Sequence, residues 1–411
     1  MDPGEVRAAV ERAHRQDWAA VLAATLRTAG SLDLAEDCTQ DAYVRALRAW
    51  QRDGIPRNPA AWLTTAARRN ALDVHRRSAN LRSKLPELLP QDDTRPDGFG
   101  GDERLRLIFT CCHPALAREA QVGLTLRLVC GLSTADIARS FLVNEATMAA
   151  RVTRAKKKIA AAGIPYRVPA APELADRLDA VLTVIHLVFT AGHTAPSGPE
   201  LDRVELAERA IELTRVLVQL MPDEREARGL LALMLADQAR RPGRRDGSGA
   251  PVLLAEQDRS RWNRSLVDEA DALLVDALRG GRPGRFVLQA AVALVHAQAP
   301  SYADTDWVQI VGLYDLLLAC WPSPVVALNR AVALGMADGP QAGLAAMAGL
   351  ELPGYHYLPA ARAELYRQLG RAVEAGAQYE LALAQVGNEA ERRFLLARAA
   401  EVGAEPRHAA T

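Results

Sequence analysis

Apolar residues recur along most of the chain at the three- and four-residue spacing of an amphipathic α-helix. The pattern covers residues 6–77 with one break at 53–56, and it returns over residues 103–162 and again beyond residue 173. No stretch alternates apolar and polar residues as a half-buried strand would. The chain is therefore predicted to be all-α, without a sheet.

Two segments rich in proline, glycine and polar side chains separate the helical blocks. The first has the composition of a flexible linker, and the second, at residues 163–172, ends the second block. The predicted domains are a helical bundle at residues 1–80, a linker at 81–102, a second helical domain at 103–165 and a helical-repeat domain at 173–411.

The formal charge of the 411-residue chain is zero, but the charge is unevenly distributed. Residues 1–168 carry 26 Lys and Arg against 19 Asp and Glu, whereas the remainder carries 24 against 31. All four lysines lie in the first part, and three of them are consecutive at residues 156–158. This asymmetry indicates that the first part of the chain faces nucleic acid.

Residues 131–159 have the pattern of a helix-turn-helix. Ser133 is a suitable N-cap, and Asp136 can complete a capping box with it. The second helix carries an apolar stripe at Met148, Val152, Ala155 and Ile159. A neighbouring stripe consists of Thr147, Arg151, Arg154 and Lys158. One face can pack while the next is cationic, as a helix in the major groove of DNA requires. On these residues alone, a solvated basic helix remains the alternative.

Two helices near the N-terminus are distinctive in their charge. The acidic residues of the first recur on one face, at Asp33, Glu36, Asp37 and Asp41. Further along this helix, Leu47 and Trp50 are expected on the inward side. The second helix begins near Trp62, which we expect in the core, and ends with Arg76 and Arg77. An acidic helix face standing alone is most simply a solvated surface, so its meaning depends on the helix that follows.

Taken together, residues 33–77 resemble region 2, and residues 131–159 resemble region 4, of the extracytoplasmic-function (ECF) sigma factors. These proteins direct bacterial RNA polymerase to promoters. The likeness is close at residues 62–73. It implies a region 2 bundle, a linker and a region 4 helix-turn-helix domain. It also implies that the chain recruits core polymerase to specific promoters and initiates transcription.

In that family, region 2 binds the clamp of the polymerase β′ subunit and holds the melted −10 strand, whereas region 4 reads the −35 element and docks on the β flap. The resemblance places polymerase contacts at Asp33, Glu36, Asp37, Gln40 and Asp41. It places −10 contacts at Asn58, Arg68, Arg69, Asn70, Arg76 and Arg77, with residues 51–58 as the loop that captures a flipped base. It places −35 contacts at Asn144, Glu145, Thr147, Met148, Arg151, Arg154 and Lys156, with the first four nearest the bases.

The last part of the chain contains a repeat. Tyr366, Gly370, Ala375, Tyr379 and Ala382 stand at the spacings of a tetratricopeptide (TPR) unit. An earlier copy is offset by 35 residues, with Gly335 matching Gly370. Residues 254–262 and 322–330 resemble segments of the ECF subgroup that has a C-terminal TPR-like extension. The resemblance implies a regulatory domain that binds a protein partner.

Other classes of function find less support in the residues. Cys111, Cys112 and His113 invite a metal hypothesis, as do His186 and His193, but neither set has the ligand spacing of a known site. No catalytic triad, phosphate-binding loop or nucleotide fingerprint is present, so we predict neither an enzyme nor a cofactor. A stand-alone TPR-containing helix-turn-helix regulator remains the alternative. Without a signal pattern or an apolar run of 18 residues, the chain is expected in the cytoplasm, away from membranes.

Overall fold

The computed structural model describes residues 3–82, 103–141, 143–193, 202–247 and 251–404. Within these ranges the regular structure is helical, apart from one isolated bridge between Arg245 and Pro251, which confirms the all-α prediction. The chain forms two compact units, Met1–Leu187 and Val188–Thr411. Of the predicted linker, only residues 81 and 82 are described, and they end a helix. No helix in the described ranges has the length and apolar character needed to span a membrane.

The first unit begins with a bundle of three long helices, continues with four shorter ones and ends in a further long helix. Their bounds are α1 Pro3–Ala29, α2 Leu32–Asp53, α3 Pro59–Arg82, α4 Glu103–Cys111, α5 Arg118–Leu124, α6 Thr134–Ser140, α7 Glu145–Ala161 and α8 Ala171–His193. A π-helical turn, Thr125–Val129, continues α5. Helix α8 begins in the first unit and ends in the second.

Local signals define the ends of the bundle helices. Ser31 caps α2, because its Oγ accepts a hydrogen bond from the Leu34 amide at 3.3 Å. Gly54, at φ +90°, ends α2 and donates its N–H to the Trp50 carbonyl at 3.0 Å. Asn58 then starts α3, because its Oδ1 accepts from the Ala61 amide at 3.0 Å. The break predicted at residues 53–56 is therefore a short loop between two capped helices.

The inward face of α2 is built mostly from small residues. Ala35, Ala42 and Ala46 are fully buried, and Trp50 closes the same stripe with 1% of its surface exposed. Alanines let the helices of the bundle approach closely, while Trp50 fills the space at the end. The prediction for Trp50 is confirmed, but that for Leu47 is wrong, because Leu47 is 41% exposed. It lies about 100° around the helix from Ala46, at the edge of the buried stripe.

The helix-turn-helix consists of α6 and α7, packed on α5 and the π-helical turn. Ser133 caps α6: its Oγ accepts from the Asp136 amide at 3.1 Å, and its hydroxyl donates to the Asp136 carboxylate. The predicted apolar stripe of α7 is confirmed, since its buried residues are Met148, Val152, Ala155 and Ile159. Gly123 of α5 gives Met148 room, because a Cβ at that glycine would lie 3.5 Å from the methionine sulfur.

The three-helix bundle and the helix-turn-helix contact each other within the first unit. Buried Trp18 of α1 donates its indole N–H to the Leu128 carbonyl at 3.1 Å. Gly131 lies against the same ring: its φ is +71°, and a Cβ there would come within 2.9 Å of Trp18 Cγ. Tyr166 adds a further link, since its hydroxyl donates to the carbonyls of Ala23 at 3.4 Å and Glu103 at 2.9 Å.

The second unit is a succession of helices. Their bounds are α9 Val204–Leu220, α10 Arg225–Ala239, α11 Arg264–Leu278, α12 Arg285–Gln298, α13 Trp307–Cys320, α14 Pro324–Ala337, α15 Pro340–Ala346, α16 Tyr357–Gln368, α17 Ala372–Gln385 and α18 Glu389–Ala404. The predicted TPR hairpin is formed by α16 and α17, where Tyr379 is 2% exposed beside fully buried Ala363 and Ala375.

The earlier copy of the hairpin, α14 and α15, is built differently. Gly335 lies inside α14 and packs against Gly343 of α15, where a Cβ at Gly343 would lie 2.8 Å from the Gly335 Cα. Gly370 instead follows α16, with a φ of +70°. The predicted match of Gly335 to Gly370 is therefore wrong. One glycine permits close helix packing, and the other permits a turn.

Candidate polymerase and nucleic-acid interfaces

The N-terminal half of α2 presents a row of exposed carboxylates. Asp33, Asp37 and Asp41 recur at four-residue intervals, and their side chains are exposed. Gln40 is exposed beside them, and its Nε2 donates to Glu36 Oε1 at 3.3 Å. Glu36 differs from its neighbours because it is 5% exposed. Four of the five residues predicted to contact the polymerase therefore share an accessible surface, and the fifth does not.

Glu36 is buried because cations of the helix-turn-helix domain cover it. Lys156 of α7 places its Nζ 2.7 Å from Glu36 Oε2 and 2.8 Å from Asp33 Oδ1. Arg127 of the π-helical turn pairs with Glu36 Oε1. Burial alone would lower the pKa of Lys156, but the hydrogen bonds to Asp33 and Glu36 outweigh it and raise that pKa above its usual value. We call Glu36, Arg127 and Lys156 the charge cluster.

The exposed face of α7 carries most of the residues predicted to contact the −35 element. Asn144 caps the helix, with Oδ1 accepting from the Thr147 amide at 2.7 Å, and Glu145 and Thr147 are exposed in the first turn. Arg151 is half-buried and Arg154 exposed, one turn further along. Together with Lys158, these two arginines line a groove of about 320 Å³ between α5 and α7.

Two of the residues predicted for the −35 element do not lie on that face. Met148 is 1% exposed and belongs to the core between α7 and α5. Lys156 is turned toward α2, and its side chain is only 11% exposed. Their assignment to DNA is corrected accordingly: Met148 packs the domain, and Lys156 belongs to the charge cluster.

A cationic groove of about 800 Å³ lies between α2 and α3. Four arginines line it: Arg45, Arg48 and Arg52 from α2, and Arg69 from α3. Half-buried Trp62 is part of the wall, with its ring edge-on to Trp50 at a centroid distance of 5.7 Å. Arg52 pairs with Asp53 through two contacts of 2.7 Å, whereas no ion pair in the described ranges engages the other three arginines.

Two of the three arginines of α2, Arg45 and Arg48, are not among the residues predicted to contact DNA, whereas Arg52 lies within the predicted capturing loop. Their spacing is a signal that was present, because Arg45, Arg48 and Arg52 recur at i, i+3 and i+7. Trp62, Thr65 and Arg69 have the same spacing on α3, which brings both sets to one groove. Helix α2 therefore changes character along its length, from carboxylates in its first half to guanidinium groups in its second.

The other residues predicted for the −10 strand lie in varied environments. Arg76 and Arg77 are exposed near the end of α3, while Arg68 donates its Nε to the Ala24 carbonyl of α1 at 3.1 Å. Asn58 is exposed and caps α3. Asn70 is 9% exposed and donates its Nδ2 to the Cys38 carbonyl at 3.3 Å. Its assignment to DNA is corrected, because that side chain joins α3 to α2.

Burial shifts the pKa of several of the cysteine and histidine residues considered as metal ligands. Cys111 and Cys112 are fully buried, and burial raises the pKa of both thiols, that of Cys112 to about 11. Burial also lowers the pKa of His193 to about 4, and its ring stacks on Phe189 at 5.3 Å. In the part of the chain that the structure describes, no group of three or more His, Cys, Asp and Glu side chains could hold a metal ion.

Comparison with known families assigns both halves of the first unit. Residues 13–80 match sigma-70 region 2, and residues 106–159 match sigma-70 region 4. The chain is also 28% identical over 137 residues to the ECF RNA polymerase sigma factor SigE of Mycolicibacterium smegmatis, covering 32% of this chain and 53% of that one. The chain belongs to the ECF-type sigma factors. It binds core RNA polymerase and promoter DNA, and it directs the polymerase to promoters.

This sigma factor carries an extension beyond region 4. Residues 177–278 match a family of unknown function, DUF6596. The uncharacterized protein R00370 of Rhizobium meliloti is 44% identical over 396 residues, 94% of each chain, so the similarity spans the sigma regions and the extension alike. The crystal structure of yeast Tom70 overlaps 97% of this chain and 86% of its own at 12% identity, with a TM-score of 0.38 that is too low to support an argument.

Proposed function

We propose that this sigma factor binds the β′ clamp through the carboxylates of α2, holds the melted −10 strand in the cationic groove and reads the −35 element with α7. The β flap is the proposed second polymerase contact, through the region 4 domain. The observation that carries this proposal is the separation of charge along α2, where exposed Asp33, Asp37 and Asp41 precede Arg45, Arg48 and Arg52. One helix thereby offers separate surfaces for a protein and for a nucleic acid.

The proposed chemistry at the DNA surfaces follows from the side chains present. A single strand needs cations along its backbone and an aromatic face for its bases, and the groove between α2 and α3 offers arginines beside Trp62. Duplex DNA needs accessible cations on a helix, and α7 offers exposed Arg154 and Lys158 beside half-buried Arg151. Promoter recognition by such a protein requires no catalytic step of its own, and we expect it in the cytoplasm, where bacterial polymerase works.

Size-exclusion chromatography of the full chain mixed with bacterial core RNA polymerase tests this proposal first. A complex that elutes together at micromolar concentration is expected. If the two proteins elute separately, the assignment of the α2 carboxylates to the polymerase fails.

Reversing the charges of Asp37 and Asp41 together to lysine is expected to weaken binding to core polymerase at least about tenfold. A polymerase surface that is complementary to these carboxylates is positively charged, so lysines at the same positions would be repelled. Both side chains are exposed, so the substitutions should not destabilise the fold. A titration of labelled sigma factor against core polymerase measures the effect. The matched control is Glu11→Lys, an exposed acid of α1 outside the row, which should leave the affinity unchanged.

We further propose that the charge cluster holds region 4 against region 2 in the free protein. The −10 and −35 elements are separated by about 25 base pairs, or roughly 85 Å of duplex. Lys156 Nζ lies 2.8 Å from Asp33 Oδ1, so recognition of both elements at once requires this contact to open. The same contact neutralises the charge of Asp33, at one end of the acidic row, until polymerase competes for it.

The extension is proposed to regulate the sigma factor through a protein partner. Large apolar side chains remain exposed on α13, α17 and α18, which supports a docking role. They are Val308, Leu316, Val373, Leu381 and Leu396. A photo-crosslinking residue placed at position 373 in the full chain would capture such a partner. The absence of any adduct in cells that make active protein would count against this face.

A further inference from the structure

The second unit contains a cavity of about 520 Å³, which is lined by none of the residues proposed to bind polymerase or DNA. It is bounded by α14, α16, α17 and α18 and by the segment that begins at Pro251. Its size falls within the range of about 300–1,000 Å³ that is typical of small-molecule sites. Most of its wall is apolar, and a few ionisable side chains converge on it, as such sites require.

One of the two carboxylates in the wall is neutralised by arginines. Glu364 accepts hydrogen bonds from Arg398 at 3.0 Å and from Arg367 at 2.7 and 3.0 Å. Although burial raises the pKa of Glu364, these hydrogen bonds hold it below its usual value. Arg398 also donates to Glu401 at 2.7 Å. Glu364 and Arg398 therefore neutralise each other, and each also pairs with a residue of its own helix.

The other carboxylate, Glu391, has no arginine or lysine within 4 Å in the described ranges. Its Oε1 accepts a hydrogen bond of 2.5 Å from the Tyr357 hydroxyl. Its Oε2 lies 3.4 Å from His356 Nε2, at an angle that makes no hydrogen bond. Arg244 is near enough to act electrostatically on Tyr357, and its guanidinium donates a hydrogen bond to the His193 carbonyl. The Glu391 side chain is only 14% exposed, so most of the carboxylate is withdrawn from solvent while its Oε2, an acceptor without a hydrogen-bond donor, borders the cavity.

Aromatic rings surround the same space. Tyr355 and Tyr357 lie with centroids 5.2 Å apart, and Phe394 and Tyr379 complete the aromatic part of the wall. Ring faces attract cations, most strongly where water is excluded. Burial and the nearby Glu391 raise the pKa of Tyr357, so its hydroxyl stays a donor at neutral pH. A carboxylate among aromatic rings is complementary to an ammonium group.

We propose that this cavity binds a small organic amine, with its ammonium at Glu391 and its apolar body against Tyr355, Tyr357 and Phe394. An anion would be repelled by Glu391, and Arg398 would not compensate for this repulsion because it already pairs with Glu364 and Glu401. A neutral apolar molecule would fill the space but shield Glu391 Oε2 from water without offering it a donor, which is unfavourable.

Isothermal titration of the full chain with two matched sets of probes tests the proposal. The first set is tryptamine, tryptophol and indole-3-acetate, and the second is octylamine, octanol and octanoate. Within each set the body is constant while the end group is a cation, a neutral hydroxyl or an anion. The amine of at least one set is expected to bind about tenfold tighter than its alcohol, with the anion weakest.

Glu391→Gln should reduce that preference to about twofold or less, because the amide keeps the size but loses the charge. The control is Glu389→Gln, which removes an exposed carboxylate from the same first turn of α18 and should leave the preference intact. Circular dichroism melts check that both variants remain folded. Equal affinity for amine and alcohol, the same preference in Glu391→Gln, or no binding of either amine at millimolar concentration would each overturn the proposal.

Discussion

Replacing Glu36 with alanine is expected to lower the free energy of unfolding of the first unit by about 3 kcal/mol. The substitution leaves Arg127 and Lys156 facing each other with side chains only 17% and 11% exposed, so two cations lose their shared counter-charge at once. The measurement is hydrogen exchange at the backbone amides of α2 and α7. These amides should exchange about a hundredfold faster than in the unsubstituted protein.

Asp33→Ala is the matched control, because Asp33 binds the same lysine from a side chain that is 71% exposed. An exposed ion pair contributes less than about 1 kcal/mol, so exchange should quicken by less than about fivefold. Similar effects of the two substitutions would mean that the buried charge cluster does not hold region 4 against region 2.

The Glu36 variant also distinguishes two roles for this residue. If Glu36 contacts the polymerase directly, as its position in the family pattern implies, then Glu36→Ala should bind core polymerase more weakly. If its role is to hold region 4, the variant should bind core polymerase more tightly, despite its lower stability. We expect tighter binding, because the side chain is buried in the free protein.

Replacing Arg45, Arg48 and Arg69 together with alanine is expected to weaken binding of single-stranded DNA roughly a hundredfold at low salt. Each phosphate contact that is lost also lowers the slope of log K against log salt by about 0.7, so the slope should fall by about 2. The probe is a labelled 12-nucleotide strand of mixed sequence, and the measurement is fluorescence anisotropy across a salt series. The groove that these arginines line is open in the free protein.

The control for this prediction is a second triple variant, Arg7→Ala, Arg12→Ala and Arg279→Ala. It removes the same number of positive charges from exposed positions outside the groove. A loss of the same size in both variants would show that total charge, and not the groove, governs binding. An unchanged salt slope in the groove variant would remove the −10 strand from this surface.

Helical periodicity predicted the buried positions that depend on a single helix. Met148 and Ile159 are buried because they share one stripe of α7, and Tyr379 is buried because the TPR spacing places it between two helices. The failure at Leu47 has the same origin. Whether a residue beside the buried stripe is itself buried depends on how closely the neighbouring helix packs. The small alanines of α2 let the helices of the bundle pack together without covering Leu47.

Long-range pairing was beyond the reach of periodicity. Glu36 and Lys156 are 120 residues apart in the chain. Each stands among like-charged residues that a solvent-exposed helix face would explain by itself, so neither predicts a contact with the other. The family pattern assigned both to external partners, because it records positions and not the arrangement of the free protein. The cavity near Glu391 likewise draws on four helices and two loop segments, so only their packing brings its aromatic rings to one carboxylate.

Trp18, whose indole donates a hydrogen bond to the Leu128 carbonyl, is an intrinsic fluorescent probe in this sigma factor. The indole is buried where region 2 meets region 4, so separating the two regions would bring it into water and shift its emission to longer wavelength. Release of the recognition helix could then be followed in real time, without a dye, at the moment polymerase engages.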